Sequence, residues 1–245
     1  MPNAIALFIF ARNGNYPMSF VMPIGGADTP EPMSLPEIVY RKLRDAILNG
    51  VYPPGAMLRQ EEVAALLGVS RNPLREALPR LESEGVVVLY PRRGYAVVKL
   101  DPAEIVNVFD LRILLETELA GRSVKSKTHT DEQQVQAILD EMASLAEQAE
   151  TADRVRWFDL NLRFHDALLS PAHCPHHMKA LAQSRGVLEA YIRAEVRLTG
   201  DLAQAQTEHT RMAQAFYAGQ GESLIRLTRE HSEHTRDRLL RGLAR

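Results

Sequence analysis

Two groups of residues in this 245-residue chain have the types and spacing to do chemistry. The first joins Asn161 and His165, four apart in "NLRFH", to His209 and His231 in "TEHTRMAQAFYAGQGESLIRLTREHSEHT". Residues four apart share a helical face, and imidazole nitrogens with an amide oxygen are ligands for a divalent metal ion. Leu224, Leu227 and Thr228 fall on the same face as His231, which turns that histidine inward. The second group is Ser70, Arg71, Asn72 and Arg75 in "VSRNPLREALPRLESEG". Arginine can grip guanine O6 and N7 with two bonds, and asparagine can do the same to adenine N6 and N7. A serine and the free amides of a helix start can hold a phosphate oxygen.

These side chains need elements to hold them. Residues 34–50, "SLPEIVYRKLRDAILNG", have the pattern of an amphipathic helix with an Asn-Gly stop. "YPPG" is a turn, and "QEEVAALLG" is a short second helix closed by Gly68. Ser70 then N-caps a third helix after only a tight turn, which is the helix-turn-helix arrangement. In that helix Leu74, Ala77, Leu78 and Leu81 form the buried stripe, while Arg71, Asn72 and Arg75 point elsewhere. Pro79 falls on the stripe of Asn72 and Arg75, where its ring is expected to bend the helix away after the reading residues have ended. After Gly85 the period changes: "VVVLY" and "YAVVKL", separated by "PRRG", make a two-stranded hairpin, or wing.

Asp101-Pro102 starts a new element and marks a domain boundary. From there to residue 243, helical spacing runs through 103–122, 131–150, 153–170, 175–198, 201–219 and 221–243. The expected fold is mainly α: an N-terminal winged helix-turn-helix over 34–100, then an all-α antiparallel helical bundle over 103–243. Residues 1–33 read as a leader before the first domain, with Met18, Met22 and Met33 as possible starts. The apolar "AIALFIFA" in it lacks the preceding basic residues and the cleavage site of a signal peptide.

Composition limits the partners. Between residues 34 and 99 ten Lys or Arg face seven Asp or Glu, whereas the remainder holds 19 against 24. A mildly basic module on an acidic body directs an anionic partner to the first part alone. The single cysteine, Cys174, excludes an intrachain disulfide and suits a cytoplasmic protein. No run of about 18 apolar residues exists to span a membrane.

The stretch "LRQEEVAALLGVSRNPLREALPRLESEGVV" with "PRRGYAVV" resembles the winged helix of the GntR family of bacterial transcription regulators. The resemblance implies that Ser70, Arg71, Asn72, Pro73 and Arg75 contact DNA, with Arg93 and Gly94 at the wing tip reaching the neighbouring groove. Asn72 stands where the family has a small hydroxyl residue, and Pro79 replaces a helix-neutral one. "LRILLETELA", "NLRFHDALL" and "EHTRMAQAFYAGQGESLIRLTREH" resemble the FCD ligand-binding domain of the same family. That likeness implies a divalent metal, zinc or nickel, on Asn161, His165, His209 and His231, with Asn161 in place of the commoner Asp. It also implies a small carboxylate effector paired with Arg112, a homodimer, and a palindromic double-stranded operator. The implied function is a sequence-specific transcription regulator, in most such proteins a repressor, controlled by an organic acid.

Competing readings attach to particular residues. Arg112 can instead pair with Glu116 one turn on. "HCPHH" (173–177) offers soft ligands, but crowded into one turn they close a tetrahedral site poorly. His234 is a more credible substitute ligand. A metal-dependent enzyme would need an acid or base facing the metal, and Glu208 and Glu230, adjacent to histidines in sequence, are turned about 100° from them on a helix.

Overall fold

In the computed structural model of the chain, the described residues are 33–146, 151–199 and 202–243. The leader expected over 1–33 lies outside them apart from Met33. The chain divides into two compact units between Lys99 and Leu100.

In the first unit α1 (Leu35–Leu48) begins at Ser34, whose hydroxyl accepts from the Glu37 amide, and closes at Asn49. α2 (Gln60–Leu67) ends at Gly68, which takes the left-handed conformation at φ 66° that glycine adopts without a steric penalty. α3 (Arg71–Ser83) follows almost at once and buries Leu74, Ala77, Leu78 and Leu81, the stripe expected from spacing. These pack with Val39, Leu43 and Ile47 of α1 and with Val63, Val87 and Val97. Arg80 pins the far end of α3: it pairs with Glu37, and its guanidinium lies 3.6 Å from the Tyr40 ring centre. The Tyr40 hydroxyl donates to Glu84 at 2.6 Å, so α1 is clamped to the end of α3 away from the reading residues.

The wing differs from the two-stranded expectation. β2 (Val87–Tyr90) and β3 (Gly94–Val97) pair antiparallel from Val87↔Val97 to Tyr90↔Gly94, and β1 (Met57–Leu58) adds to the other edge of β3. The sheet is three-stranded in the order β1-β3-β2. Two residues are too few to display alternation, so β1 carries no signal in sequence.

The second unit opens with α4 (Pro102–Ser126). Asp101 accepts from the Glu104 amide at 2.8 Å while Glu104 accepts from the Asp101 amide at 2.7 Å, a reciprocal capping box. α5 (His129–Ala146), α6 (Thr151–Leu169), a 3-10 turn (Ser170–Ala172), α7 (Pro175–Thr199), α8 (Ala203–Tyr217) and α9 (Gly221–Leu243) complete the helical bundle. Its core gathers Leu119, Met142, Phe164, Phe216 and Leu224. α4 packs against α6, α7 and α9, while α8 packs against α5 and α9. At Gly121 a Cβ would sit 3.0 Å from Ile225 Cδ1, so glycine lets α4 and α9 approach closely.

α3 runs through Pro79 as one element, with the proline at an exposed position. Its nitrogen cannot donate to the Arg75 carbonyl, which costs about 3 kcal/mol in a helix interior, offset by up to about 1 kcal/mol of entropy removed from the unfolded chain. Pro79→Ala is therefore expected to stabilise the first unit by about 2 kcal/mol, read as a higher midpoint in denaturant unfolding.

Candidate functional site

On the first unit, the start of α3 exposes Arg71, Asn72 and Arg75 on the face opposite its buried stripe. Arg71 makes a solvent-exposed ion pair with Glu61 of α2 at 2.9 Å, a contact weak enough to exchange for a phosphate. Ser70 stands at the N-cap with extended backbone, yet its hydroxyl makes no capping bond. Pro73 is buried, as is Leu74 after it, whereas Asn72 and Arg75 are exposed. A helix start leaves four amides without internal acceptors, and Pro73 removes one of them at no cost. At the wing tip Arg93 is exposed, and Gly94 at φ 93° allows the tight reversal after Arg92.

On the second unit three helices bring three histidines together. His165 of α6, His209 of α8 and His231 of α9 are 2%, 0% and 5% exposed. One ligand nitrogen from each lies within 4.8 Å of the others. Among the described residues His165 Nε2 and both ring nitrogens of His209 have no hydrogen-bond partner. Burial, followed by mutual repulsion within the cluster, pushes the His165 and His209 pKa values well below the ordinary histidine range. Burial also lowers His231, against the opposing pull of Glu208. Neutral imidazole is the form that binds metal. Asn161, one turn before His165, lines two cavities that border the cluster, one reaching His165 and the other His231.

The surroundings hold what spacing did not foretell. Glu208 receives Nδ1 of His231 at 2.7 Å and Nδ1 of His234 at 2.8 Å. Burial alone would raise the Glu208 carboxyl, but the hydrogen bond from His231 overcomes it and holds the pKa at about 2. The bond fixes the His231 ring and leaves Nε2 as the nitrogen it offers. Glu208 is thus turned from His209, as the helical period requires, but toward α9. His234 is half exposed and engaged with Glu208, so it supports the cluster and does not substitute within it. Cys174, His173, His176 and His177 form no ligand cluster; the Cys174 thiol lies 3.7 Å from Arg122 instead.

Arg112 lines both cavities and also makes the alternative pair with Glu116, at 3.0 Å. Glu116 is fully buried and accepts from Arg185 at 2.8 Å and from the Ser232 hydroxyl at 2.8 Å. Burial would raise its pKa, but Arg112 and Arg185 overcome that and hold it at about 2. Arg185 also reaches Asp166 at 2.6 Å, and Arg193 joins Glu189 and Asp159, each at 2.7 Å. Arg185 lies 69 residues from Glu116 and Arg193 lies 34 from Asp159, separations that helical spacing does not connect, whereas Arg112 and Glu116 are one turn apart.

With this geometry in place, residues 35–97 match the bacterial regulatory proteins of the gntR family and residues 107–234 match the FCD domain. The chain belongs to the GntR family. It is a transcriptional regulator with an FCD domain, and the family consists of regulators, which removes the metal-dependent enzyme reading. The HTH-type transcriptional regulator YdhC of Bacillus subtilis is 31% identical over 193 residues, covering 76% of this GntR chain and 81% of the relative. The gluconate operon transcriptional repressor of the same species is 31% identical over 157 residues, 64% of this chain and 63% of that one. Among solved structures, Escherichia coli McbR/YncC superposes with a TM-score of 0.71 at 20% identity, covering 86% of this chain and 99% of the other. A GntR regulator of Rhodococcus sp. RHA1 gives 0.68 at 22% identity, covering 84% and 97%. At these identities the structures speak for the fold. Among the described residues no helix is long and apolar enough to cross a membrane.

Removing Glu116 would strand the buried Arg112 guanidinium. Glu116→Ala is expected to destabilise the bundle by about 3–5 kcal/mol, measured by chemical denaturation of the full chain.

Proposed function

We propose that this protein is a cytoplasmic homodimer that binds a palindromic operator, as a repressor, and that a small organic acid bound in the bundle controls that binding. The observation that carries the reading is the convergence of His165, His209 and His231 beside cavities that Arg112 lines. Buried polar nitrogens without partners cost about 1–3 kcal/mol each, and a metal ion answers that cost. A divalent ion, zinc or nickel, would be held by these three imidazoles and the Asn161 amide oxygen. When bound it would supply positive charge for a carboxylate. Asn161 lacks the charge of an aspartate, so the ion is held less tightly than it would be by a carboxylate. The second contact for the acid is Arg112, whose guanidinium is oriented by Glu116.

The operator is read by Ser70, Arg71, Asn72 and Arg75, with Arg93 and Gly94 at the wing. Two copies of α3 related by a dyad require a palindrome. A different effector-bound state of the bundle alters operator affinity by its differential stability.

Two measurements test the reading. Arg75→Ala is expected to weaken binding to DNA upstream of the gene by about 1–3 kcal/mol with folding intact, in a gel-shift or anisotropy titration run at several salt concentrations. His209→Leu is expected to stabilise the metal-free protein by about 1–3 kcal/mol, since it replaces unpartnered nitrogens by an apolar group. The same variant is expected to lose the rise in melting temperature that added zinc gives the parent, by thermal unfolding with and without chelator.

A further inference from the structure

We propose that Trp157 is a specificity-determining contact for the effector: its indole N–H donates to an oxygen that the bound acid carries beside its carboxylate. This rests on the metal-and-effector reading above and adds to it the residue that tells one short acid from another.

Trp157 lines the cavity that Arg112, Asn161 and His231 also line, so it borders the space in which the metal and the carboxylate of the acid would be held. Its ring centre lies 5.9 Å from that of His209, with the planes 32° apart. Phe158 meets it edge to face at 5.6 Å. Packed against an imidazole of the cluster and a phenyl ring, the indole has a fixed place beside the site.

The chemistry of the indole selects what it meets. Trp157 is 3% exposed, and its nitrogen has no hydrogen-bond partner among the described residues. An indole nitrogen donates and never accepts, and when buried it ordinarily finds an acceptor. A phenylalanine would bring no unmet donor into the core, so the indole suits a position where a ligand supplies the acceptor. In the reading above the metal and Arg112 take the carboxylate of the acid, which leaves a further oxygen of the ligand for Trp157. A hydroxyl or keto oxygen accepts from an N–H, whereas an ammonium group carries donors only and a methylene offers nothing. The 5.9 Å between the rings of Trp157 and His209 keeps that oxygen near the carboxylate, on the adjoining carbon or the next.

Trp157 is the sole tryptophan of the sequence, so its indole N–H gives a single cross-peak in a proton–nitrogen correlation spectrum. The test is titration of the zinc-loaded full chain with propionate, alanine, lactate, pyruvate and 3-hydroxypropionate, followed by calorimetry and by that cross-peak. These short acids differ in the group they carry beside the carboxylate. At least one of the three oxygen-bearing acids is expected to bind about tenfold more tightly than propionate, the scale of one buried donor satisfied or stranded, with alanine no tighter than propionate. The same acid is expected to move the indole cross-peak further than propionate does. Trp157→Phe is expected to level the acids while its zinc affinity stays that of the parent. Because the cross-peak is read in the parent chain, it decides the proposal even where the variant fails to fold. Equal affinity for all five acids, an indole cross-peak that none of them moves further than propionate, or an advantage that persists in Trp157→Phe would overturn the role of Trp157 and leave the metal-and-effector reading standing. Failure of the parent to bind any of the acids would overturn both.

Discussion

A helical bundle satisfies its own backbone hydrogen bonds, so a polar side chain facing its interior must find a partner there or bear the cost of burial. That constraint organises the second unit. Glu116 sits with no exposure between Arg112 and Arg185, and Ser232 takes its other oxygen. Arg193 is answered by Glu189 and Asp159. Beside these paired charges, His165 Nε2 and both ring nitrogens of His209 are buried without a hydrogen-bond partner among the described residues. A core selected for stability alone would have placed apolar groups there.

The same constraint explains why the histidines stay neutral. A charged imidazole in this interior would lose its hydration, and a second one within about 5 Å would repel it. Glu208 occupies a different position: it stands at the edge of the cluster, partly accessible, and binds Nδ1 of both His231 and His234. One carboxylate therefore orients a buried ring and ties down an exposed one. In the first unit the balance is reversed. There α3 commits one face to the core and leaves Arg71, Asn72 and Arg75 in solvent, while Tyr40, Arg80 and Glu84 clamp the opposite end of the helix. A rigid helix with an uncommitted polar tip is what a groove-reading element requires.

Periodicity made most of the elements legible. The stripe of Leu74, Ala77, Leu78 and Leu81 predicts the buried face of α3, and Asp101 followed by Glu104 is a capping box readable in the letters alone. Helical phase turned His231 inward, and the resemblance to the FCD domain, not periodicity, grouped it with Asn161, His165 and His209. Other features left no trace. β1 is too short to alternate. Glu208 could be placed off the His209 face by the 3.6-residue period, but the same reasoning could not say which helix it would meet. His234 resembled a ligand because it lies one turn from His231, and it is excluded by exposure that no local pattern encodes.

By itself the sequence determined the order of helices, the winged helix-turn-helix with its polar fork, and which face of each helix turns inward. These depend on interactions within a few residues, where the 3.6-residue period, capping side chains and glycine act directly. The tertiary structure alone decided that three histidines from α6, α8 and α9 meet within 4.8 Å. It also decided that Glu116 receives Arg185 from 69 residues away and that Trp157 and Arg238 line one cavity. Those juxtapositions depend on how helices pack across one another, a long-range arrangement that neither spacing nor residue type within a single helix can specify.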